Sequence, residues 1–293
     1  KKMLWRSLIH TENQFSKIKK NFSNVSSCVE NNLNLDGLPI LLIITTQRTG
    51  STVLCQDLEQ ACQLNYSPTE SFIPPLTYLF NNYPNYKQNL LKEILDRSFM
   101  HPYKGPIYIH KLMIDYLGWL GFLYAPKDFV QNASYVDLSI WAIKFIMSKT
   151  KNNLPLVFLN RTDKFAQASS RLINSLGLKT HLSTNQERLE FNEILKNKLN
   201  DLKHPEAMLL DQASLIIKQN DLLAKIYKDL SSDHQSVIIN YEQDICDESF
   251  IYLDKFIDSK LLNKSLISRK LKKTANINGN NLISSTKRIL GIG

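Results

Sequence analysis

From residue 45 to residue 52 the chain reads Thr-Thr-Gln-Arg-Thr-Gly-Ser-Thr, and most of these residue types have something to offer an anion. Arg48 brings a full positive charge on a planar fork of donors. Gly50 lets the main chain approach a ligand closely. Ser51 and Thr52 add hydroxyl donors. A second stretch, "NRTDKFAQASS" at residues 160–170, repeats the idea with a different emphasis: Arg161 leads, and Ser169 or Ser170 follows about two helical turns later. An arginine and a serine at that offset can converge on one phosphate. Both stretches also admit plainer roles. Gly50 could simply ease a turn into a helix with Arg48 in solvent, and Arg161 could pair with Asp163 while the serines pack.

The elements that would position these residues are legible from hydrophobic pattern. Ile40 to Ile44 form a continuous, β-branched-rich run, as expected of a parallel strand buried on both faces. After the turn, Val53, Leu54 and Leu58 resume at helical spacing, so the segment is predicted as strand, loop, helix. The N–H groups at such a helix start lack intrahelical partners and carry the positive end of the helix dipole, which makes the loop a phosphate-type cradle. Neither G-x-x-x-x-G-K-[ST] nor G-x-G-x-x-G is present, so the usual triphosphate and dinucleotide loops do not fit.

A second unit runs from a strand at Leu154–Leu159 through a turn at 160–163 to a helix ended by Gly177. Further expectations are a short strand around Ile107–His110 leading into a helix, two helices within 184–230 parted near His204 and Pro205, a strand in "QSVIINYEQDI", and a helix in "DESFIYLDKFIDSKLL". The three prolines of "NYSPTESFIPPLTYLF" argue for a structured loop. Residues 1–37 are read as an N-terminal helical extension, with Phe15, Ile18, Phe22 and Val25 on one side packing on the domain. Strands alternating with helices imply a parallel sheet, with ligands at the strands' carboxyl ends. Arg48 and Arg161 both follow such an end.

At 293 residues with 43% hydrophobic content the chain can bury a substantial core. The formal charge of +9 favours an anionic partner only weakly, because the lysines are scattered among asparagines and isoleucines. No dense basic tract interleaved with aromatics suggests nucleic acid. The cysteines, Cys28, Cys55, Cys62 and Cys246, are too few for a disulfide framework and lack metal-site spacing, which fits a reduced cytoplasm. No run approaches the roughly 20 apolar residues needed to span a bilayer. A homodimer is an open expectation.

Taken together and in this order, "TTQRTGSTVL" and "LNRTDKFAQASS" resemble the sulfotransferases that use 3′-phosphoadenosine 5′-phosphosulfate (PAPS), with wording closest to the bacterial trehalose 2-sulfotransferase family. "SPTESF", "HKLMIDYL", "INYEQDI" and "LKKTAN" extend the resemblance over most of residues 40–276. It implies a P-loop-like three-layer α/β fold, a central parallel sheet flanked by helices. The sulfotransferase domain would cover residues 38–293, with a helical insertion at about 180–230. It further implies that the loop of Arg48, Thr49, Gly50, Ser51 and Thr52 holds the 5′-phosphosulfate, with Arg48 also catalytic. Arg161 with Ser169 or Ser170 would hold the 3′-phosphate. Glu70 would be the general base for an acceptor hydroxyl, with His110 a weaker candidate, and no metal is assigned a role. The chain departs from the pattern at Thr162, where the family commonly has a second arginine. Residues 71–105 and 180–230 carry no usable resemblance, so a carbohydrate or glycolipid acceptor is expected without trehalose being implied. The competing readings are a magnesium-dependent phosphoryl transferase, for which Asp163 or Glu242 would have to serve as the metal-binding acid, and a non-catalytic anion-binding module.

Overall fold

A computed structural model describes residues 15–16, 19–20, 38–99, 105–151, 153–178, 185–246, 249–269 and 277–290. Four parallel strands, β1 (Ile40–Thr45), β2 (Tyr108–Met113), β3 (Leu156–Asn160) and β4 (Ser236–Asn240), form one sheet in the order β2-β1-β3-β4. All six residues of β1 are buried, as expected of a strand covered on both faces. Register places Ile43 opposite both Lys111 and Val157, so the carboxyl ends of β1, β2 and β3 come level.

Between the strands run α1 (Ser51–Ala61), α2 (Ile73–Asn82), α3 (Gln88–Phe99), α4 (Leu117–Tyr124), α5 (Lys127–Asn132), α6 (Tyr135–Met147), α7 (Lys164–Ser175), α8 (Asn185–Asn200) and α9 (Pro205–Leu230), and α10 (Ile277–Ile289) follows later. The two faces of the sheet are covered by different sets. Ile40, Leu42, Ile44, Leu112 and Phe158 pack with α2, α3, α4, α6 and the end of α9. On the other face Leu41, Ile43, Ile109, Val157 and Ile239 meet Leu54 and Leu58 of α1 and the side chains of Tyr252, Leu253, Phe256 and Ile257. The α/β class and the all-parallel sheet flanked by helices therefore stand.

Three local expectations are corrected. The segment after Pro68 is not a loop throughout. Pro74 and Pro75 fall in the first turn of α2, where a missing N–H costs no intrahelical bond. β2 runs on to Met113 because Lys111, Leu112 and Met113 continue the ladder with β1. Residues 249–266 do not form an α-helix but short 3₁₀ turns at Ile251–Lys255, Ser259–Leu261 and Lys264–Leu266. This segment is bent to the sheet face it covers: Tyr252 must reach Asp57 on α1, which it does through a 2.5 Å hydrogen bond. Of the N-terminal extension, Ile18, Phe22, Val25 and Cys28 lie outside the described residues, whereas Phe15 is buried edge-on against Trp119 and Tyr135. The "LKKTAN" segment also lies outside them. The two helices within residues 185–230 form as expected, and α9 runs into the main core through Leu223, Ile226 and Leu230.

Candidate active site

β1 and β3 are neighbours whose following helices leave in opposite directions. α1 covers the Leu41–Ile43 face, and α7 packs on α9 on the other side. The gap above them is the kind of switch point at which open α/β sheets bind ligands.

The loop after β1 is fixed from within. Thr49 is fully buried; its hydroxyl lies 2.5 Å from that of Thr45 and donates to the Thr46 carbonyl at 3.1 Å. It holds the loop's shape, whereas Ser51 and Thr52 stand at the helix start. Arg48 and Gly50 both have positive φ, 63° and 86°. For Gly50 a second constraint applies, because a β-carbon there would come within 2.1 Å of the Tyr241 ring. With glycine at its N-cap, α1 has no side-chain cap and no acidic residue in its first turn. Its end of the dipole is therefore left to whatever anion binds. α7 differs: Asp163 caps it by accepting from Ala166 N–H at 2.9 Å.

The two arginines expected from the sequence come together. Arg48 Nε donates to Ser170 Oγ at 3.0 Å, and Arg161 Nη1 donates to the Arg48 carbonyl at 3.1 Å. Each arginine thus reaches across to the other's segment. Burial, and next the charge of Arg161, pull the Arg48 guanidinium below its ordinary pKa, the signature of positive charge concentrated where an anion would relieve it. Ser170 is half-buried at this junction, whereas Ser169 turns into the protein at 5% exposure.

Arg161 pairs not with Asp163 but with Glu242, the second residue after β4, at 3.3 Å. The same carboxylate accepts from Thr162 N–H at 2.9 Å, Thr162 Oγ1 at 2.8 Å and Asp163 N–H at 3.4 Å. Burial pushes the Glu242 pKa up, but the hydrogen bonds from Thr162 and Asp163 outweigh it and the net direction is down. The Tyr241 ring sits against Arg161, 4.9 Å from its guanidinium carbon. Gln167 closes the junction from α7, donating to Thr46 Oγ1 at 2.8 Å and to the Gln47 carbonyl at 2.5 Å. Tyr241 and Gln167 had no role of their own in the sequence reading beyond membership of the quoted motifs, and Glu242 entered it only as a metal-binding acid in the phosphoryl-transferase alternative. Their positions directly after β4, and two turns before Ser175 on the Arg161 helix, were the available signal.

Glu70 lies by the neighbouring strand end, where Lys111 Nζ is 3.7 Å from its Oε1, both side chains being mostly buried. Lys111 and Glu70 both act electrostatically on the Cys55 thiol of α1, which burial pushes up to about 12. That ties the pair to the helix that starts at the loop. His110 is placed elsewhere. It is fully buried in β2 with its ring 5.4 Å from that of Phe72 and 6.2 Å from that of Phe99. A side chain enclosed there cannot meet an acceptor, which corrects its candidacy as a base. A groove lined by Met147, Thr150, Leu154 and His234 opens at the opposite, amino ends of β3 and β4. It holds none of these residues, and the convergence of charge decides for the carboxyl-end site.

Among the described residues no group of histidine, cysteine and acidic side chains is arranged to hold a metal ion, and no helix is long and apolar enough to cross a membrane. Comparison with protein-family models, curated proteins and solved structures finds no match to this chain.

Proposed function

We propose that this protein is a sulfotransferase of P-loop-like architecture that moves a sulfuryl group from 3′-phosphoadenosine 5′-phosphosulfate to a hydroxyl of a carbohydrate or glycolipid. The observation that carries the reading is the interlock of Arg48, Ser170 and Arg161 above β1 and β3. It puts two guanidinium groups and a hydroxyl beside an α1 start that has no cap of its own. This donor set suits a ligand with two anionic groups, one at each loop. Two further residues support the choice over a magnesium-dependent phosphoryl transferase. Asp163 and Glu242, the acids such an enzyme would need here, are already engaged by backbone donors.

Bound donor would supply the transferable sulfuryl group and a phosphate leaving group. The N–H groups of Ser51 and Thr52, with Arg48, would hold the phosphosulfate and balance the charge that builds as the sulfur–oxygen bond to phosphate breaks and its electron pair moves to phosphate. Arg161 and Ser170 would hold the 3′-phosphate. Glu70, oriented beside Lys111, would take the acceptor's proton as the new oxygen–sulfur bond forms. The acceptor would enter over the β2 side, where Glu70 lies.

The test is a thermal-shift comparison of 3′-phosphoadenosine 5′-phosphate, adenosine 5′-phosphate and magnesium with adenosine triphosphate, since a ligand of the folded state raises the melting temperature. The bisphosphate should stabilise most. A larger shift from magnesium and the triphosphate would move the protein to the phosphoryl-transfer class.

A further inference from the structure

Glu242 belongs to neither anion loop, yet its carboxylate gathers four donors from the turn after β3: Arg161 Nε, Thr162 N–H, Thr162 Oγ1 and Asp163 N–H. Three of these belong to the turn itself and fix its backbone. The fourth takes the inner edge of the Arg161 guanidinium, leaving that residue's Nη1 directed at the Arg48 carbonyl. Tyr241, one residue earlier, covers the Arg161 plane and also abuts Gly50. The end of β4 thus grips both anion loops, although it supplies no cation to either.

We propose that Glu242 is the positioning residue that gives the site its selectivity for a 3′-phosphorylated nucleotide, by locking Arg161 in the orientation that such a phosphate requires; the proposal rests on the sulfotransferase reading above. The physical reason is that a free arginine side chain must be ordered when it binds, and a guanidinium already held along one edge loses less on meeting a phosphate with the other. Thr162 is part of the same device. Where the resembling family commonly carries a second arginine, this chain carries a hydroxyl that helps orient the carboxylate behind the first one.

Glu242→Gln is the informative change. A glutamine can still accept from Thr162, but it presents either no charge or an N–H to Arg161. By the usual value of a hydrogen bond to a charged group, binding of 3′-phosphoadenosine 5′-phosphate should weaken at least about tenfold. Adenosine 5′-phosphate, which lacks the 3′-phosphate, should bind as before. In an Arg161→Ala background the same substitution should add little further loss, because Glu242 acts through Arg161. Equal losses for both nucleotides, additive losses in the double variant, or tighter binding of the bisphosphate would overturn the proposal; the last would mark Glu242 as a competing anion. If Glu242→Gln does not fold, Thr162→Val removes the 2.8 Å hydroxyl donor alone and should show the same selectivity change at smaller size.

A ligand-independent measurement separates this proposal from the reading beneath it. Arg161 has 13% of its side chain exposed, and its reaction with an arginine-selective dicarbonyl, mapped by mass spectrometry, should quicken severalfold in Glu242→Gln. If the wild-type protein does not distinguish the two nucleotides, the sulfotransferase reading falls. The modification rate then decides Glu242 by itself, and an unchanged rate at Arg161 overturns its positioning role.

Discussion

Arg48 holds a backbone conformation, φ 63°, that a residue with a β-carbon adopts at a cost of about 1–2 kcal/mol. The carbonyl of this left-handed residue is the one that receives Arg161, so the strain and the convergence of the two arginines are one arrangement. Side chain and backbone contributions can therefore be separated. Under the proposed function, Arg48→Ala should slow sulfuryl transfer by about 10² to 10³, the usual effect of removing one preorganised charged donor. Arg48→Gly should lose the same activity while unfolding at higher denaturant than the alanine variant, because glycine relieves the positive φ. Identical denaturation midpoints would show that the left-handed turn costs nothing. For Glu70 the expectation concerns chemistry alone. Glu70→Gln keeps the shape beside Lys111 but removes the carboxylate that the proposed function makes the base, so on that proposal transfer should fall by roughly 10² or more while binding of the donor product is unaffected. Near-normal turnover with a true acceptor would remove Glu70 from the mechanism, and the enclosed His110 could not replace it.

At the scale of elements, Gly50 and Gly177 make a controlled pair. Both have positive φ, 86° and 73°, but a β-carbon on Gly50 would lie 2.1 Å from Tyr241, whereas nothing lies within 4 Å of one on Gly177. Gly177→Ala should cost about 1–2 kcal/mol, the conformational term alone. Gly50→Ala should cost clearly more and, on the proposed function, disturb nucleotide binding, as read by denaturant unfolding and thermal shift; equal costs would mean that Tyr241 swings aside freely. These two glycines also show what the sequence made legible. A strand buried on both faces must be apolar throughout, so β1 and β3 could be found by inspection, with Gly50 marking the turn after β1 and Gly177 the end of α7. The helix at Ile73–Asn82 was missed because prolines are informative only once the helix start is located. The 3₁₀ segment was missed because Tyr252, Leu253, Phe256 and Ile257 recur at helical spacing although they pack against α1 and the sheet from a chain of short turns. Glu242 was invisible as an Arg161 partner for a different reason: 81 residues separate them, and only the order of strands in the sheet brings β4 beside β3.

For the molecule as a whole, a buried ion pair secures the segment after the last 3₁₀ turn. Asp57, fully buried in α1, receives Arg269 through Nε at 3.0 Å and Nη2 at 2.5 Å, and Tyr252 as well. Arg269→Ala leaves that carboxylate without its counter-charge and should destabilise the fold by about 3–5 kcal/mol in urea. An Asp57→Asn, Arg269→Met double variant should lose markedly less. If the two lose equally, the pair acts by packing and not by charge. The interlock of Arg48 with Ser170 and Arg161 carries a different lesson, about the order of events in synthesis. Its partners are 122 and 113 residues apart in sequence, and Glu242 follows Arg161 by another 81. A chain emerging from the ribosome can form the first strand and turn early, but contacts of such separation close late. The nucleotide affinity proposed for this site should accordingly arise in one step, when β4 docks beside β3, so that a nascent chain halted before residue 236 would hold both arginine motifs and yet capture no ligand.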